Sequence, residues 1–466
     1  MPVIDSDLIG KSRSIYFIGI GGVGMSALAR VLKHRGLQVA GSDSHESRTT
    51  QELSAAGIQV HIGQDRISFR NSDLIVYSSA IACQHLELKA ARDRGLKIHH
   101  RAEILSSLLN QARTSVAVTG THGKTTTSSM ISYVLSSLHK NPTCLVGGDV
   151  VNLGTNTILG GQDLWISEVD ESDKSHELYA PNYAIVTNLE EDHMDNYRDL
   201  NELKNSFARF FLHPRNPGLI IYSEDDPVLR ELVLTTPKPR VSFGFSPSAD
   251  FSAQNIKLSD FGSEFDLFET SLYAMRVRLS VPGLHNVSNA LAALALFIQL
   301  GIDPEDAAQA LYEFRGARRR LEIKWQSEDL IIIDDYAHHP TEVRASIRAL
   351  RSLDRRLTVV FQPHRFSRTR HFYKQFGNAF EEAEEVILTD IYAAGEPNPD
   401  NISVECIYQE MMAAGHPNVK MVVKNEILRY LQTRSQMDGV VAFLGAGDIG
   451  ELADEFAGRF KNLTAA

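Results

Sequence analysis

Cysteine is scarce: Cys83, Cys144 and Cys406 are the only three in 466 residues, widely spaced and without a CxxC pair. That spacing excludes a structural zinc knuckle and fits a reducing cytosol. Positive charge is short as well. Lys and Arg number 47 against 58 Asp and Glu, and the net charge of −11 argues against nucleic acid or an anionic membrane as a main partner. A negatively charged substrate then needs local cationic pockets rather than a global field. Long apolar runs are missing too. The longest, "ALAALALFI" (290–298), is too short to cross a bilayer and reads as a buried helix face. The first residues, "MPVIDSDLIGKSRS", lack the apolar core of a signal peptide, so a soluble, cytoplasmic protein is expected. No short-period repeat and no low-complexity stretch is found.

What the chain has is regular alternation. Its composition, 43% hydrophobic and 23% charged, is ordinary for a globular protein, and its length exceeds one core, so three domains are expected. Strand-like and helix-like runs alternate, which predicts parallel sheets flanked by helices. Residues 1–112 hold "SIYFIGI", a glycine turn, "MSALARVLKHRG", "LQVAGSD" and "DLIVYSSA". Residues 113–323 hold "SVAVTG", "LWISEV", "YAIVTNL" and "GLIIYS", a β-rich patch at 240–282, two helical runs and a linker, "ARRRLE". Residues 324–466 repeat the alternation with "LIIIDDYA", "RLTVVFQP", "EEVILTD" and "GVVAFLGAG". The expected fold class is α/β: a Rossmann-like N-terminal domain, a central P-loop ATPase-type parallel sheet with a small β-rich patch, and a Rossmann-like C-terminal domain.

Two glycine turns lie between a strand and a helix. In "GIGGVG", Gly19, Gly21 and Gly24 have the GxGxxG spacing, which permits a tight turn and close approach of a diphosphate to the helix N-terminus. Asp43, at the end of the next strand, could accept a ribose hydroxyl. NAD is the default ligand of such a turn, and a turn without ligand is the bland alternative. In "GTHGKTT", backbone N–H groups around Gly120 and Gly123 can wrap a phosphate, Lys124 can reach its terminal oxygens, and the Thr125 hydroxyl can bind Mg²⁺. This loop is two residues shorter than GxxxxGK[ST].

"ISEVDESD" and "NLEEDHMDNY" each follow a strand, which puts Glu168 and His193 at the same carboxyl edge of the sheet as the loop. Mg²⁺ prefers oxygen, and imidazole is an unusual ligand for it. Asp170, Glu171, Asp173, Glu190, Glu191 and Asp192 could all be solvated rim charges, and residue types alone do not choose among them.

"GTHGKTT", "EVDESD", "TNLEEDHMDNY", "GLHNVSNALAA" and "DDYAHHPTEV", in this order, resemble the Mur ligases of peptidoglycan precursor synthesis. "FIGIGGVGMSALA", "GSD", "SSAI", "FQPHRFSRTR" and "YAAGE" are similar, more narrowly, to the alanine-adding branch, and the resemblance runs from about residue 15 to 450. It implies that Gly19, Gly21, Gly22, Gly24, Ser42, Asp43 and Ser79 hold the UDP-sugar, UDP-N-acetylmuramate. It also implies that Gly120, Thr121, His122, Gly123, Lys124, Thr125 and Thr126 hold ATP, with Mg²⁺ (or Mn²⁺) on Thr125, Glu168 and His193. The lactyl carboxylate would attack the γ-phosphate, and the amine of L-alanine would then displace phosphate from the acyl phosphate. Lys124, the metal ions on Thr125, Glu168 and His193, and a linker arginine would gather the positive charge this needs, with Lys124, His193 and that arginine as the catalytic residues.

That arginine corresponds to Arg320 in "GARRRLE", where three consecutive arginines, Arg318 to Arg320, leave the register open and Leu321 replaces the usual aromatic. Asn286 would meet adenine or else cap its helix. Asp335 would face the nucleotide. His338, Arg365 and Arg368 would bind L-alanine, the two arginines sharing a helix face if a helix begins there; Arg370 reads as an exposed helix-end charge. The lysine that several family members carbamylate is absent, since Phe207 stands at that spacing from His193. An NAD-dependent oxidoreductase would leave the second loop without a purpose. Within the family, the alternative is a recycling ligase that attaches a whole tripeptide to the same UDP-sugar. A monomer or homodimer is expected.

Overall fold

The computed structural model describes residues 8–10, 12–63, 69, 72–192, 196–213, 218–259, 261–433 and 438–464. The first sheet is wholly parallel. Its strands are β1 (Ser14–Ile18), β2 (Gln38–Asp43), β3 (Gln59–Ile62), β4 (Leu74–Tyr77) and β5 (Lys97–His100), in the order β3-β2-β1-β4-β5. The chain leaves β1 for one neighbour and returns later to the other. The first glycine turn therefore opens at the point where strand order reverses, the place where open α/β sheets bind ligands.

The second sheet runs through β6 (Thr114–Thr119), β7 (Thr143–Val150), β8 (Thr155–Ile158), β9 (Leu164–Glu168), β10 (Tyr183–Val186), β11 (Leu219–Ser223) and β12 (Arg240–Gly244). Their order is β12-β11-β10-β6-β9-β7-β8, parallel except for the β7–β8 pair. With β10 on one side of β6 and β9 on the other, the second loop also opens at a reversal. The β-rich patch is made by β12 and the long strands β13 (Phe251–Ser259), β14 (Gly262–Glu269) and β15 (Leu272–Leu279).

The third sheet contains β16 (Glu322–Gln326), β17 (Leu330–Asp335), β18 (Leu357–Phe361), β19 (Glu385–Leu388), β20 (Val419–Met421) and β21 (Gly439–Leu444), ordered β16-β17-β21-β18-β19-β20. Every residue of β17, β18, β19 and β21 is buried, as expected of strands covered by helices on both faces. β16 is an antiparallel edge that begins at Glu322, the last residue of "ARRRLE", so the expected linker runs directly into a strand that the sequence reading does not mark.

By compactness the chain divides into two units. One comprises Met1–Gln254, Leu267–Met275 and Ser288–Leu311; the other comprises Asn255–Asp266, Arg276–Val287 and Tyr312–Ala466. The first and second sheets thus share one unit. The helix Val23–His34 packs on β7 and β8, the Arg35 guanidinium lies 4.8 Å from the Trp165 ring centre, and Asn156 donates to the Val23 carbonyl at 3.4 Å. Among the described residues, no helix is long and apolar enough to cross a membrane.

Candidate active site

The first turn is shaped by its glycines. Gly19 has φ 78°, a region that side chains with a Cβ rarely adopt, and its N–H and that of Ile20 donate to the Ser42 carbonyl at 2.8 and 2.9 Å. Gly21 N–H donates to Asp43 Oδ2 at 2.8 Å. Gly22 precedes the helix without a side-chain cap, which leaves the first helical N–H groups available to an anion. Arg101 Nη1 lies 2.6 Å from where a Cβ on Gly24 would stand, so a guanidinium rests on the first helical turn.

Ser42 is buried; its hydroxyl donates to the buried Glu87 carboxylate, which also accepts from Tyr16, and its backbone carbonyl is what the turn binds. The exposed Ser79 donates its hydroxyl to Asp173 and lies 3.0 Å from His100 Nε2.

The second turn is clamped from the end of β10. Asn188 Oδ1 accepts the His122 N–H (2.8 Å), Asn188 Nδ2 donates to the His122 carbonyl (3.1 Å), and Thr121 N–H donates to the Asn188 carbonyl (3.1 Å). Thr121 Oγ1 accepts from Glu190 N–H at 2.9 Å. Thr121 and His122 therefore shape the loop, and Asn188, present in "TNLEEDH" but given no role there, holds it. Gly120 (φ 122°) and Gly123 (φ 81°) provide the two left-handed corners, and Thr126 is buried in the first turn of the helix Lys124–Ser137.

Lys124 Nζ donates to the carbonyls of Gly120 and Thr121 and, at 2.9 Å, to Glu171 Oε1. Burial pushes the Glu171 carboxyl up to about 7, against the pull of Lys124. Burial works against the Lys124 ammonium, but Glu171, Asp170 and Glu168 outweigh it and hold the Lys124 pKa above its usual value. A charged lysine is thereby kept inside the loop. The acidic residues of "EVDESD" are not solvated rim: Glu171 is on Lys124, Asp170 is 3.4 Å from Arg101, and Asp173 is on Ser79.

Beside the loop, Thr125 Oγ1 donates to Glu168 Oε1 at 3.1 Å, and Glu168 Oε2 accepts from Gly147 N–H at 2.7 Å. A Cβ on Gly147 would lie 2.5 Å from both carboxylate oxygens, so glycine leaves room for them. A hydroxyl and a carboxylate side by side are hard oxygen donors, and they fit Mg²⁺. His193 lies outside the described residues.

In the other unit, Asp335 is buried; its carboxylate accepts from Leu321 N–H (2.8 Å) and Ala337 N–H (2.7 Å). Desolvation pushes it up to about 6 against the nearby Arg320. Asp335 thus ties the arginine turn to the end of β17. Arg319, at φ 57°, donates to the Gly445 carbonyl (2.6 Å) and lies 3.3 Å from Asp334. Arg320 lies 3.8 Å from Glu342, and the Arg319 and Arg320 guanidiniums both lie over the Tyr336 ring at 5.1 Å. Asn286 lies within the first turn of the helix Leu284–Gln299 and donates back to the Pro282 carbonyl (2.7 Å), so it is not the N-cap.

His338 Nδ1 is 2.9 Å from the Tyr336 carbonyl, and its ring meets those of Tyr336 and His364 edge-on. Arg368 Nη1 is 3.2 Å from His364 Nδ1, and His364 stacks on Tyr392. His364 and Tyr392 had no individual role in the sequence reading, though both sit inside the motifs "FQPHRFSRTR" and "YAAGE". Arg365 corrects an expectation. It precedes the helix Phe366–Phe376 with φ 65° and ψ 142°, so it does not share a helix face with Arg368; its guanidinium lies 3.6 Å from Glu396. Arg370 makes an exposed pair with Asp400.

A shortened phosphate loop holding a buried lysine, with a hydroxyl–carboxylate pair beside it, defines an α/β enzyme that works on a nucleoside triphosphate. Three family descriptions match along the chain: the Mur ligase family catalytic domain (residues 14–113), the Mur ligase middle domain (118–297) and the Mur ligase glutamate ligase domain (319–447). The UDP-N-acetylmuramate–L-alanine ligase of Carboxydothermus hydrogenoformans is 38% identical over 453 residues, covering 97% of either chain. The crystal structure of UDP-N-acetylmuramate–alanine ligase from Thermotoga maritima is 29% identical, with a TM-score of 0.82 over 96% of this chain and 99% of that one. MurF ligase from Thermotoga maritima, solved in complex with ADP, shares the fold at 16% identity, with a TM-score of 0.63 over 94% and 99% of the two chains. The chain belongs to the Mur ligase family and is an ATP-dependent ligase.

Proposed function

We propose that this ligase joins L-alanine to the lactyl carboxylate of UDP-N-acetylmuramate in the cytoplasm, as a step of peptidoglycan precursor synthesis. The observation that carries the reading is the charged Lys124 inside the glycine loop, with Thr125 and Glu168 paired beside it. In this reading residues 1–112 bind the UDP-sugar, 113–323 bind ATP, and 324–466 contact the amino acid and the nucleotide. The carboxylate oxygen attacks the γ-phosphorus and ADP leaves. The neutral amine of L-alanine then attacks the acyl carbon, phosphate leaves, and the amine gives up its proton.

Two anions meet in the first step, and Lys124 and Arg320 are the residues assigned to lower that repulsion. Mg²⁺ held by Thr125 and Glu168 would supply further charge stabilisation. His193 is kept as a metal and catalytic candidate. The rings of His338, His364 and Tyr392, with Arg368 among them, make a compact polar surface suited to a small zwitterion, and a guanidinium can grip its carboxylate with two parallel bonds. Phosphate release from ATP, measured with UDP-N-acetylmuramate and each single amino acid or the tripeptide, tests the reading. L-alanine is expected to give the fastest turnover; preference for the tripeptide would replace it with the recycling reaction.

A further inference from the structure

The segment Asp170–Asp173 is gripped from three directions. Its first residue, Asp170, has Oδ2 3.4 Å from Arg101 Nη2. Its second, Glu171, holds the Lys124 ammonium at 2.9 Å. Its last, Asp173, accepts from the Ser79 hydroxyl and lies 3.8 Å from His100 Nε2. Ser79 follows β4, His100 ends β5 and Arg101 follows it, so two of the three grips come from the carboxyl edge of the first sheet. The third comes from the phosphate loop of the second. Ser172 N–H donates to Asp170 Oδ1 (2.9 Å) within the segment, and Ser175 N–H, just beyond it, donates to Asp173 Oδ1 (3.0 Å), so each end of the strip is held by its own local turn.

Arg101 has a second attachment. Its Nη1 occupies the space that a side chain at position 24 would need, over the first turn of the helix that the first glycine turn opens. A diphosphate bound at that turn therefore meets Arg101 while the same guanidinium is only 3.4 Å from Asp170. Two anions then compete for one cation. The diphosphate carries more charge and can use both edges of the guanidinium.

We propose that Arg101 is a positioning residue: occupation of the first glycine turn draws it from Asp170, loosens the Asp170–Asp173 strip and lets Lys124 leave Glu171 for the phosphate of ATP. This rests on the ligand assignment proposed above for the two turns. Binding of the UDP-sugar should accordingly tighten binding of the triphosphate, and the reverse must hold to the same factor.

The test uses the full-length protein with Mg²⁺ and a non-hydrolysable ATP analogue. Its Kd is measured by calorimetry with and without saturating UDP-N-acetylmuramate. The unaltered protein should show a tightening of about fivefold or more. Arg101→Gln should bring the factor to within about twofold of one, and Arg101→Lys should restore part of it. Asp170→Asn attacks the same link from a residue placed on neither ligand and keeps the test decisive if the arginine variant fails to fold. The double variant should lose no more coupling than either single one. A factor near one in the unaltered protein, an opposite sense, or undiminished coupling in Arg101→Gln and Asp170→Asn overturns the proposal while both ligands still bind. Failure of the unaltered protein to bind the UDP-sugar at all would instead remove the ligand assignment itself.

Discussion

The two glycine turns share one plan and differ in how they are charged. Both lie between a strand and a helix at a reversal of strand order, and both use a left-handed glycine, Gly19 in one and Gly120 in the other. In the first, the polar partners of the turn are a backbone carbonyl, Asp43 and the long side chain of Arg101, which reaches it from the start of the helix after β5. In the second, the lysine belongs to the turn itself and is already buried on a carboxylate, with the Thr125–Glu168 oxygen pair beside it. A turn that holds a diphosphate unchanged needs shape and N–H groups. A turn that must stabilise phosphoryl transfer needs charge held in place before the reaction begins.

The sharpest way to break this comparison is to remove the built-in charge. Lys124→Ala is expected to lower the ligation rate by on the order of 10²–10³. The same substitution leaves Glu171 buried without its cation, so the control is Lys124→Ala with Glu171→Gln, which restores a neutral interior without restoring activity. Recovery of rate in the double variant would mean that Lys124 serves only to neutralise Glu171. No such loss is expected from Asp43→Ala, which should act on the KM for the UDP-sugar and leave that for ATP nearly unchanged.

Acid should weaken the support of the second turn. His176, in the short turn Ser175–Leu178 that follows the Asp170–Asp173 strip, is buried against Phe207 and Phe210, and desolvation pushes it down to about 4. The folded value lies below the unfolded one of about 6.5. The unfolded chain therefore binds the proton first, and the stabilisation is complete above about pH 6.5 and lost as the pH falls towards 4. The total is about 3 kcal/mol. Urea unfolding at pH 7 and pH 4.5 should reveal it, and His176→Phe should flatten the difference; an unchanged slope in that variant would assign the acid sensitivity to other groups.

Much of this was legible in the sequence because it depends on local requirements. Alternating apolar runs marked the sheets, and glycines at fixed offsets marked the turns, since left-handed backbone leaves few other choices. The antiparallel edges β8 and β16 escaped notice: they are four and five residues long, and β16 is only partly buried, so neither carries a clear pattern. The clamp of Asn188 on His122 and the grip of Asp335 on Leu321 were hidden for another reason. Side-chain bonds to backbone across 66 and 14 residues leave no periodic trace. Ser42 and Ser79 were assigned to a ligand because they stand in the right motif, yet their hydroxyls are held by Glu87 and Asp173, partners that only the fold brings close.

The smallest expected effect is also the finest discriminator, because it asks what each glycine is for. At Gly120 a Cβ would fall 2.9 Å from the backbone N of Thr187 and the backbone O of Asn188, and φ is 122°. Backbone cannot swing away, so Gly120→Ala should destabilise by about 2 kcal/mol or more and abolish binding of the ATP analogue. At Gly24 the nearest obstacle is Arg101 Nη1 at 2.6 Å, the far end of a flexible side chain, and the position is helical, where alanine is favoured over glycine. Gly24→Ala should therefore leave Tm within about a degree or two of the unaltered protein, the helix gain of roughly 0.5–1 kcal/mol offsetting the cost of moving the arginine. Its effect should fall on the first ligand, as a several-fold rise in the KM for the UDP-sugar with the KM for L-alanine unchanged. If Gly24→Ala instead melted the protein as Gly120→Ala should, Arg101 would be fixed in place rather than movable. The first turn would then be as rigidly built as the second.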